Sequence, residues 1–207
     1  MNRQLVSIYK IDEDNCMEKD DYVAREKTVS ISLSNGKTIE TTCSPGNEEE
    51  LIMGYRYSCG DGCCNIEASA VMEAVNRHDL LRFADKVYSM PQELFTSTGC
   101  AHSCAAVYNG EMLCHMEDIR RHNALDKTIG YALKHNVSPA SLILYTSGRI
   151  SADYLQKVIN AGVRFIVSRA AVTDAAIELA VKHDVTLLGF ARNGRANLYH
   201  EGKVTLI

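Results

Sequence analysis

The sequence predicts an α/β protein, with a unit of parallel strands and helices over residues 57–207 and a small β-rich portion over residues 1–56 before it. Two patterns carry this reading. From Leu142 onward, short apolar runs alternate with amphipathic stretches of helical length, the rhythm of βαβ units. Before Cys43 the chain instead alternates polar and apolar residues around an Asn-Gly pair, a strong local hairpin signal.

Each element follows from its own residues. Thr28 to Leu33 (TVSISL) and Thr38 to Cys43 (TIETTC) flank the Ser34-Asn35-Gly36-Lys37 turn, and Ser44-Pro45-Gly46-Asn47 ends the second strand. Glu48 to Tyr55 starts like a helix, with acids in the first turn where the dipole favours them. Ile66 to Ser89 reads as helical, in one piece or two, with Val71, Val75, Leu80, Leu81 and Ala84 on its apolar face. Arg121 to His135 places Leu125, Ile129, Ala132 and Leu133 on one side. Strands are expected at Leu142–Thr146, Val163–Val167 and Val185–Phe190, and helices at Ala152–Ala161 and Asp174–His183. An Asn193-Gly194 turn leads into a last strand around Asn197–Tyr199. Right-handed crossovers put the Ser147-Gly148-Arg149 loop and the Ser168–Thr173 loop on one sheet edge, where open α/β sheets bind ligands.

Bulk properties narrow the function. The 207 residues suffice for one sizeable core, and 46% of them are apolar. A formal charge of −4 argues against a general polyanion binder, and the aromatics form no RNA-binding pattern, so no nucleic acid is expected. No apolar run approaches a membrane span, and the start shows no signal peptide, so the expected location is the cytoplasm. Eight cysteines (16, 43, 59, 63, 64, 100, 104 and 114) are many for such a chain. Length, the adjacent Cys63-Cys64 pair and the missing signal point to reduced thiols rather than structural disulfides.

Three of these thiols lie close together in Tyr57-Ser58-Cys59-Gly60-Asp61-Gly62-Cys63-Cys64-Asn65. Glycines relax the backbone there, and the cysteines are read as displayed, available as nucleophile, sulfur carrier, redox pair or metal ligand. Arg149 and Arg169 each stand beside small hydroxyl residues just before a helix, a pattern suited to a pyrophosphate ligand. Asn123, Asp126, Lys127 and Gly130 fall on one helix face, which with Arg120, Arg121 and His122 would form a recognition surface for a polar heterocycle or an ordinary solvated face. If Thr98–Cys104 were helical, Cys100 and Cys104 would share a face, with Cys114 and His115 as further metal ligands, but the spacing fits no zinc pattern and no metal is expected. His115-Met116-Glu117 has the H-x-E form of zinc deaminases, yet no Pro-Cys-x-x-Cys partner exists. P-loop, G-x-G-x-x-G and G-x-S-x-G motifs are absent.

Read together, these blocks resemble the formate dehydrogenase accessory protein family FdhD. Glu117-Asp118-Ile119-Arg120-Arg121-His122-Asn123-Ala124-Leu125-Asp126-Lys127-Thr128-Ile129-Gly130 is similar to the family's E-D-V-G-R-H-N-A-x-D-K-x-x-G. Gln92–Ala106 is similar to its Q-x-L-F-x-x-T-G-G-x-H-x-A-A block, and Ser147-Gly148-Arg149-Ile150-Ser151 to its S-G-R-x-S. Ser168–Thr173 resembles its S-x-x-A-P-T loop without the proline, and Gly189–Tyr199 its G-F-x-R…N-x-Y close. The resemblance implies a cytidine-deaminase-like three-layer α/β domain, usually a homodimer. It also implies a sulfurtransferase that takes persulfide sulfur from a cysteine desulfurase. The recipient would be the molybdenum (or tungsten) bis-guanine-dinucleotide cofactor of formate dehydrogenase or a related molybdoenzyme, with a GDP-like nucleotide as analogue.

On this reading Cys59 or Cys63 carries sulfur, with Cys64 the third candidate. Thr98, Gly99, His102, Arg121, His122, Asn123, Asp126, Lys127, Ser147, Gly148, Arg149, Ser168 and Thr173 bind the cofactor. The family's S-C-G-x-C-G becomes Ser58-Cys59-Gly60-Asp61-Gly62-Cys63-Cys64 here, with one extra residue between the first two cysteines. The strands that the family carries between the counterparts of Gly54 and Tyr57 are shortened. A silent cofactor carrier or chaperone, or a thiol-rich metal-binding paralogue, are the competing expectations.

Overall fold

The structure is a computed structural model that describes residues 2–61 and 73–207. Two hairpins open the chain. Strands β1 (Arg3–Ile11) and β2 (Cys16–Ala24) pair antiparallel, as do β3 (Lys27–Ser32) and β4 (Thr38–Cys43). The turn between β3 and β4 is not the two-residue form that Asn35-Gly36 first suggests. Leu33 and Lys37 remain paired, the Gly36 N–H donates to the Leu33 carbonyl, and only Gly36 takes a positive φ. That is a three-residue loop closed by a left-handed glycine.

Helix α1 (Glu48–Ser58) follows, and residue 56, the expected boundary between the two portions, lies inside it. Of the helix expected over residues 66–89, the described part is helical only from Arg77. Ala74 and Val75 form a short strand, β5, and the Asn76 side chain caps α2 (Arg77–Ser89) by accepting from the His78 and Asp79 N–H groups. Asparagine at that position stops the helix from extending backward. Residues 66–72, including Val71, lie outside the described residues.

The rest of the described chain contributes α3 (Glu93–Thr98), β6 (His102–Tyr108), β7 (Glu111–Asp118), α4 (Arg121–Lys134), β8 (Ile143–Thr146), α5 (Ala152–Asn160), β9 (Phe165–Ser168), α6 (Asp174–His183), β10 (Thr186–Arg192), β11 (Arg195–His200) and β12 (Thr205–Leu206). The central sheet runs β11-β10-β9-β8-β6-β7. Its three middle strands are parallel as expected, but β6, β7 and β11 join antiparallel, so the sheet is mixed. Two tight turns account for the β6–β7 and β10–β11 pairings. Asn109-Gly110 and Asn193-Gly194 both take positive φ at each position, the two-residue geometry that returns a strand beside its predecessor. The Thr98–Cys104 segment is therefore not helical. Cys100 is exposed, and Cys104 is buried within β6.

Alternate residues of the sheet feed two cores. Cys104, Ala106, Leu144, Ile166 and Leu187 pack toward α4, α5 and α6, while Ala105, Val107, Tyr145, Phe165 and Val167 pack toward α2. The result is three layers, with α1 lying on α4. That last contact is backbone against backbone. A Cβ on Gly54 would stand 1.9 Å from the Asp126 carbonyl oxygen, and one on Gly130 would stand 1.9 Å from the Glu50 carbonyl oxygen. Gly54→Ala or Gly130→Ala is expected to cost about 3 kcal/mol or more, read from urea unfolding, because neither backbone can move aside without opening the interface. A loss under about 1 kcal/mol would refute the close approach.

Candidate functional site

The two loops expected at one sheet edge meet there. Ile150 bridges Val172, and the buried Ser168 hydroxyl donates to the Gly148 carbonyl at 2.8 Å while accepting from the Ala170 N–H. Ser147 is fastened to β6, its hydroxyl accepting from the Ser103 N–H and its own N–H donating to the Ser103 carbonyl. Gly148 fits where it does because its neighbours leave no room: a Cβ there would lie 3.2 Å from Arg121 Cβ.

Together with the start of α4, these loops wall a cleft of about 730 Å³. Its lining includes His102, Arg120, Arg121, His122, Asn123, Ser147, Gly148 and Arg149, with Tyr55 of α1 and Lys157 of α5 at the opposite side. Among the described residues, four permanent cations line it and no carboxylate does. The Arg121 guanidinium donates to the Arg149 carbonyl at 3.0 Å and to Ser151 Oγ at 2.8 Å. Arg120 reaches Thr42 of β4. The exposed Arg149 guanidinium has no hydrogen-bond or ion-pair partner among the described residues. Partial burial and the two arginines, 121 and 149, hold His102 below the usual histidine range. Burial does the same to His122, against the pull of Asp153, whose Oδ2 lies 3.2 Å from His122 Nε2. An anion with several oxygens meets this cleft's charge and shape.

The other expected ligand residues stand outside the lining. Arg169 turns away, its guanidinium 5.7 Å from the Tyr88 ring centroid, so the second arginine of the cleft is Arg121 rather than Arg169. Thr98 caps the end of α3, accepting from the Cys100 N–H, and Gly99 supplies the left-handed turn behind it. Thr173 caps α6 through the Ala176 N–H. Asp126 and Lys127 are buried beneath the cleft. Lys127 Nζ lies 2.7 Å from Asp118 Oδ2 and donates to the Ser44 carbonyl at 3.0 Å. Asp118 also accepts from the Ser44 N–H and from Asn123 Nδ2, so one buried ion pair ties β7, α4 and the loop after β4. Asp126 divides its oxygens between Ser58 Oγ at 3.3 Å and Lys157 Nζ at 2.5 Å. The expected site residues omit Tyr55, Lys157, Ser58 and Asp118; Ser58 and Asp118 stand within the Ser58–Cys64 and Glu117–Gly130 blocks, whereas nothing in the local spacing marks Tyr55 or Lys157. Only the packing of α1 and α5 on α4 brings them together.

Cys59 closes α1 and is exposed, its N–H donating to the carbonyl of Tyr55 one turn before it. Asp61, two residues on, is anchored: Ser34 donates to it with both N–H and hydroxyl, and Arg56 Nε lies 2.9 Å away. Those bonds, the Ser34 hydroxyl first, hold its carboxyl below the usual range. Cys63 and Cys64 lie outside the described residues. Among the other thiols, burial pushes Cys104 and Cys114 up to about 12, which leaves them as inert apolar groups.

The fold is thus a mixed α/β domain with a cationic cleft and an exposed thiol at the end of a helix whose Tyr55 lines that cleft. Residues 58–205 match the FdhD/NarQ family, and the chain belongs to that family. It is 32% identical to protein FdhD of Methanocaldococcus jannaschii over 96% of this chain and 97% of the relative. It is 28% identical to the sulfur carrier protein FdhD of Sulfurisphaera tokodaii, covering 99% of this chain and 100% of that one. The crystal structure of a candidate formate dehydrogenase accessory protein from Desulfotalea psychrophila shares the fold at a TM-score of 0.85 and 24% identity, over 97% of both chains.

Burial raises Asp126 to about 6, further than the Lys157 ammonium and the Ser58 hydroxyl pull it down. Because the folded value exceeds the unfolded one, the stability this group contributes is complete below about pH 4 and is lost as pH rises through about 6. Urea unfolding of the wild-type protein and Asp126→Asn should therefore show their stability difference moving in favour of the variant between about pH 4 and about pH 7. A difference that stays flat across that range would contradict the raised value.

Proposed function

We propose that the protein is a sulfur carrier in formate dehydrogenase maturation, holding sulfur on the Cys59 cluster beside a cleft that binds the guanine-nucleotide phosphates of the molybdenum (or tungsten) cofactor. The observation that carries this reading is the placement of an exposed thiol next to a cleft lined by four cations and no acid. The names borne by its relatives supply the sulfur chemistry. A cysteine desulfurase is the proposed donor, and the cytoplasm and a homodimer are the proposed setting. The three-layer arrangement is in keeping with the cytidine-deaminase-like architecture expected from the sequence.

Sulfur loading balances without an added oxidant. A cysteine thiolate of the cluster attacks the outer sulfur of the donor's persulfide, and a new S–S bond forms. The donor's S–S bond breaks, its electron pair leaves on the donor thiolate, and the acceptor retains the transferred sulfur as a persulfide. Arg149, Arg121 and Arg120 would grip the client's phosphates, which have the oxygens to match guanidinium forks. His102 and His122, held toward their neutral forms, offer ring nitrogens rather than further fixed charge.

Incubation with a cysteine desulfurase and cysteine should add the mass of one sulfur atom to Cys59, Cys63 or Cys64, mapped by peptide mass spectrometry. No adduct on any of the three overturns the sulfur-carrier reading, and GDP binding that persists without it favours the silent carrier. Arg149→Ala should weaken GDP binding about tenfold in titration calorimetry, with a smaller deficit at high salt. Unchanged affinity would remove Arg149 from the phosphate site.

A further inference from the structure

We infer that Tyr55 and Lys157 hold and stabilise the sulfur anion at Cys59, with Asp126 as the positioning residue beneath them. The inference deepens the sulfur-carrier reading and rests on it for the sulfur that is held.

The argument begins at the end of α1. Tyr55 and Cys59 are one helical turn apart, and the Cys59 N–H donates to the Tyr55 carbonyl at 3.0 Å, so the phenol and the thiol are neighbours at the helix end. Burial, with the neighbouring Cys59, pushes the Tyr55 phenol up to about 12. The phenol therefore keeps its proton across the working range and acts toward sulfur as a donor. Lys157 Nζ lies 4.5 Å from the centroid of the same ring. A cation over a phenol strengthens the O–H as a donor and offsets a negative charge on its acceptor.

Lys157 does not reach this place by its own flexibility. Its ammonium is pinned by Asp126 Oδ2 at 2.5 Å, and the other oxygen of that carboxylate accepts from Ser58, the residue before Cys59. One buried carboxylate thus fixes the separation between the thiol-bearing helix end and the lysine of α5. The two arginines at the start of α4 are anchored elsewhere. Arg121 is bonded to Arg149 and Ser151, and Arg120 to Thr42. The adjacent acid is also spent, since Asp61 is paired with Arg56 and Ser34. In sulfur transfer the cysteine is an anion before the attack, and a persulfide is acidic after it. A fixed donor and cation therefore serve both states, and the same Lys157 lines the cleft in which the client's phosphates would sit.

Native-state alkylation with iodoacetamide, read cysteine by cysteine by peptide mass spectrometry, tests this without any sulfur donor. Cys16, exposed on β2, is the internal reference. Lys157→Met should slow Cys59 labelling relative to Cys16 about threefold at neutral pH, because the cation that favours the anionic sulfur is removed. Lys157→Arg should restore most of the rate, which a purely structural role for the side chain would not require. Tyr55→Phe should slow Cys59 in the same sense. Wild-type labelling of Cys59 in Lys157→Met, or Lys157→Arg as slow as Lys157→Met, overturns the inference. If Lys157→Met leaves the buried Cys43, Cys104 and Cys114 open to label, Tyr55→Phe decides, and an unchanged Cys59 rate there overturns it. Failure of sulfur loading in the wild-type protein, with these labelling shifts intact, would instead count against the sulfur-carrier reading alone.

Discussion

The bare contact between α1 and α4 is the constraint on which the site depends. Gly54 and Gly130 let two helix backbones touch where any other residue would hold them apart by the width of at least a methyl group. Only at that distance does Asp126, on α4, reach the Ser58 hydroxyl at the end of α1. The same approach sets Tyr55 against the cleft and leaves Cys59, the next residue after the helix, at its margin. Helix α1 follows the two hairpins and α4 packs on the central sheet, so their contact joins the β-rich start of the chain to the sheet.

Electrostatics makes the division of labour explicit. The protein is acidic overall, at a formal −4, yet the cleft is cationic because its acids are either absent or already paired. Asp118 is matched to Lys127, Asp126 to Lys157, and Asp153 to His122 and Ser151. The two buried pairs, Asp118–Lys127 and Asp126–Lys157, add little net stability, but removing one partner leaves a stranded charge, so they hold geometry rather than supply energy. Lys127 binds the β4–α1 loop to the sheet through Ser44, and Lys157 binds α5 to α1 through Asp126. The cation left without a partner among the described residues is Arg149, the one at the mouth.

Much of this was legible in the sequence. The βαβ rhythm after Leu142 gave its strands and helices, and with them the meeting of the Ser147-Gly148-Arg149 and Ser168–Thr173 loops. The antiparallel β6–β7 pair was not anticipated. His102–Tyr108 is buried on both faces and so shows no alternation, although Asn109-Gly110 carried the same hairpin signal as Asn35-Gly36. The polar stripe Asn123, Asp126, Lys127 and Gly130 was read as an outer face or a ligand surface. It is buried instead, because hydrogen bonds and ion pairs from Thr42, Ser44, Ser58 and Lys157 satisfy it. A helical wheel reports polarity but not the partner that meets it.

The burial of that stripe changes what the specific Arg-His-Asn…Asp-Lys pattern accomplishes. Its first residues, Arg121 and His122, line the cleft, while Asp126 and Lys127, one turn later, are buried. A single helix therefore presents charge to the client at its start and fixes the thiol-bearing helix in its middle. Its rise of about 1.5 Å per residue keeps the two functions within a few ångströms of each other. Loops would not hold a sulfur atom and a phosphate site in register so closely, since their backbone is free to drift. The motif reads best as a ruler, setting the spacing between where the client is held and where sulfur waits.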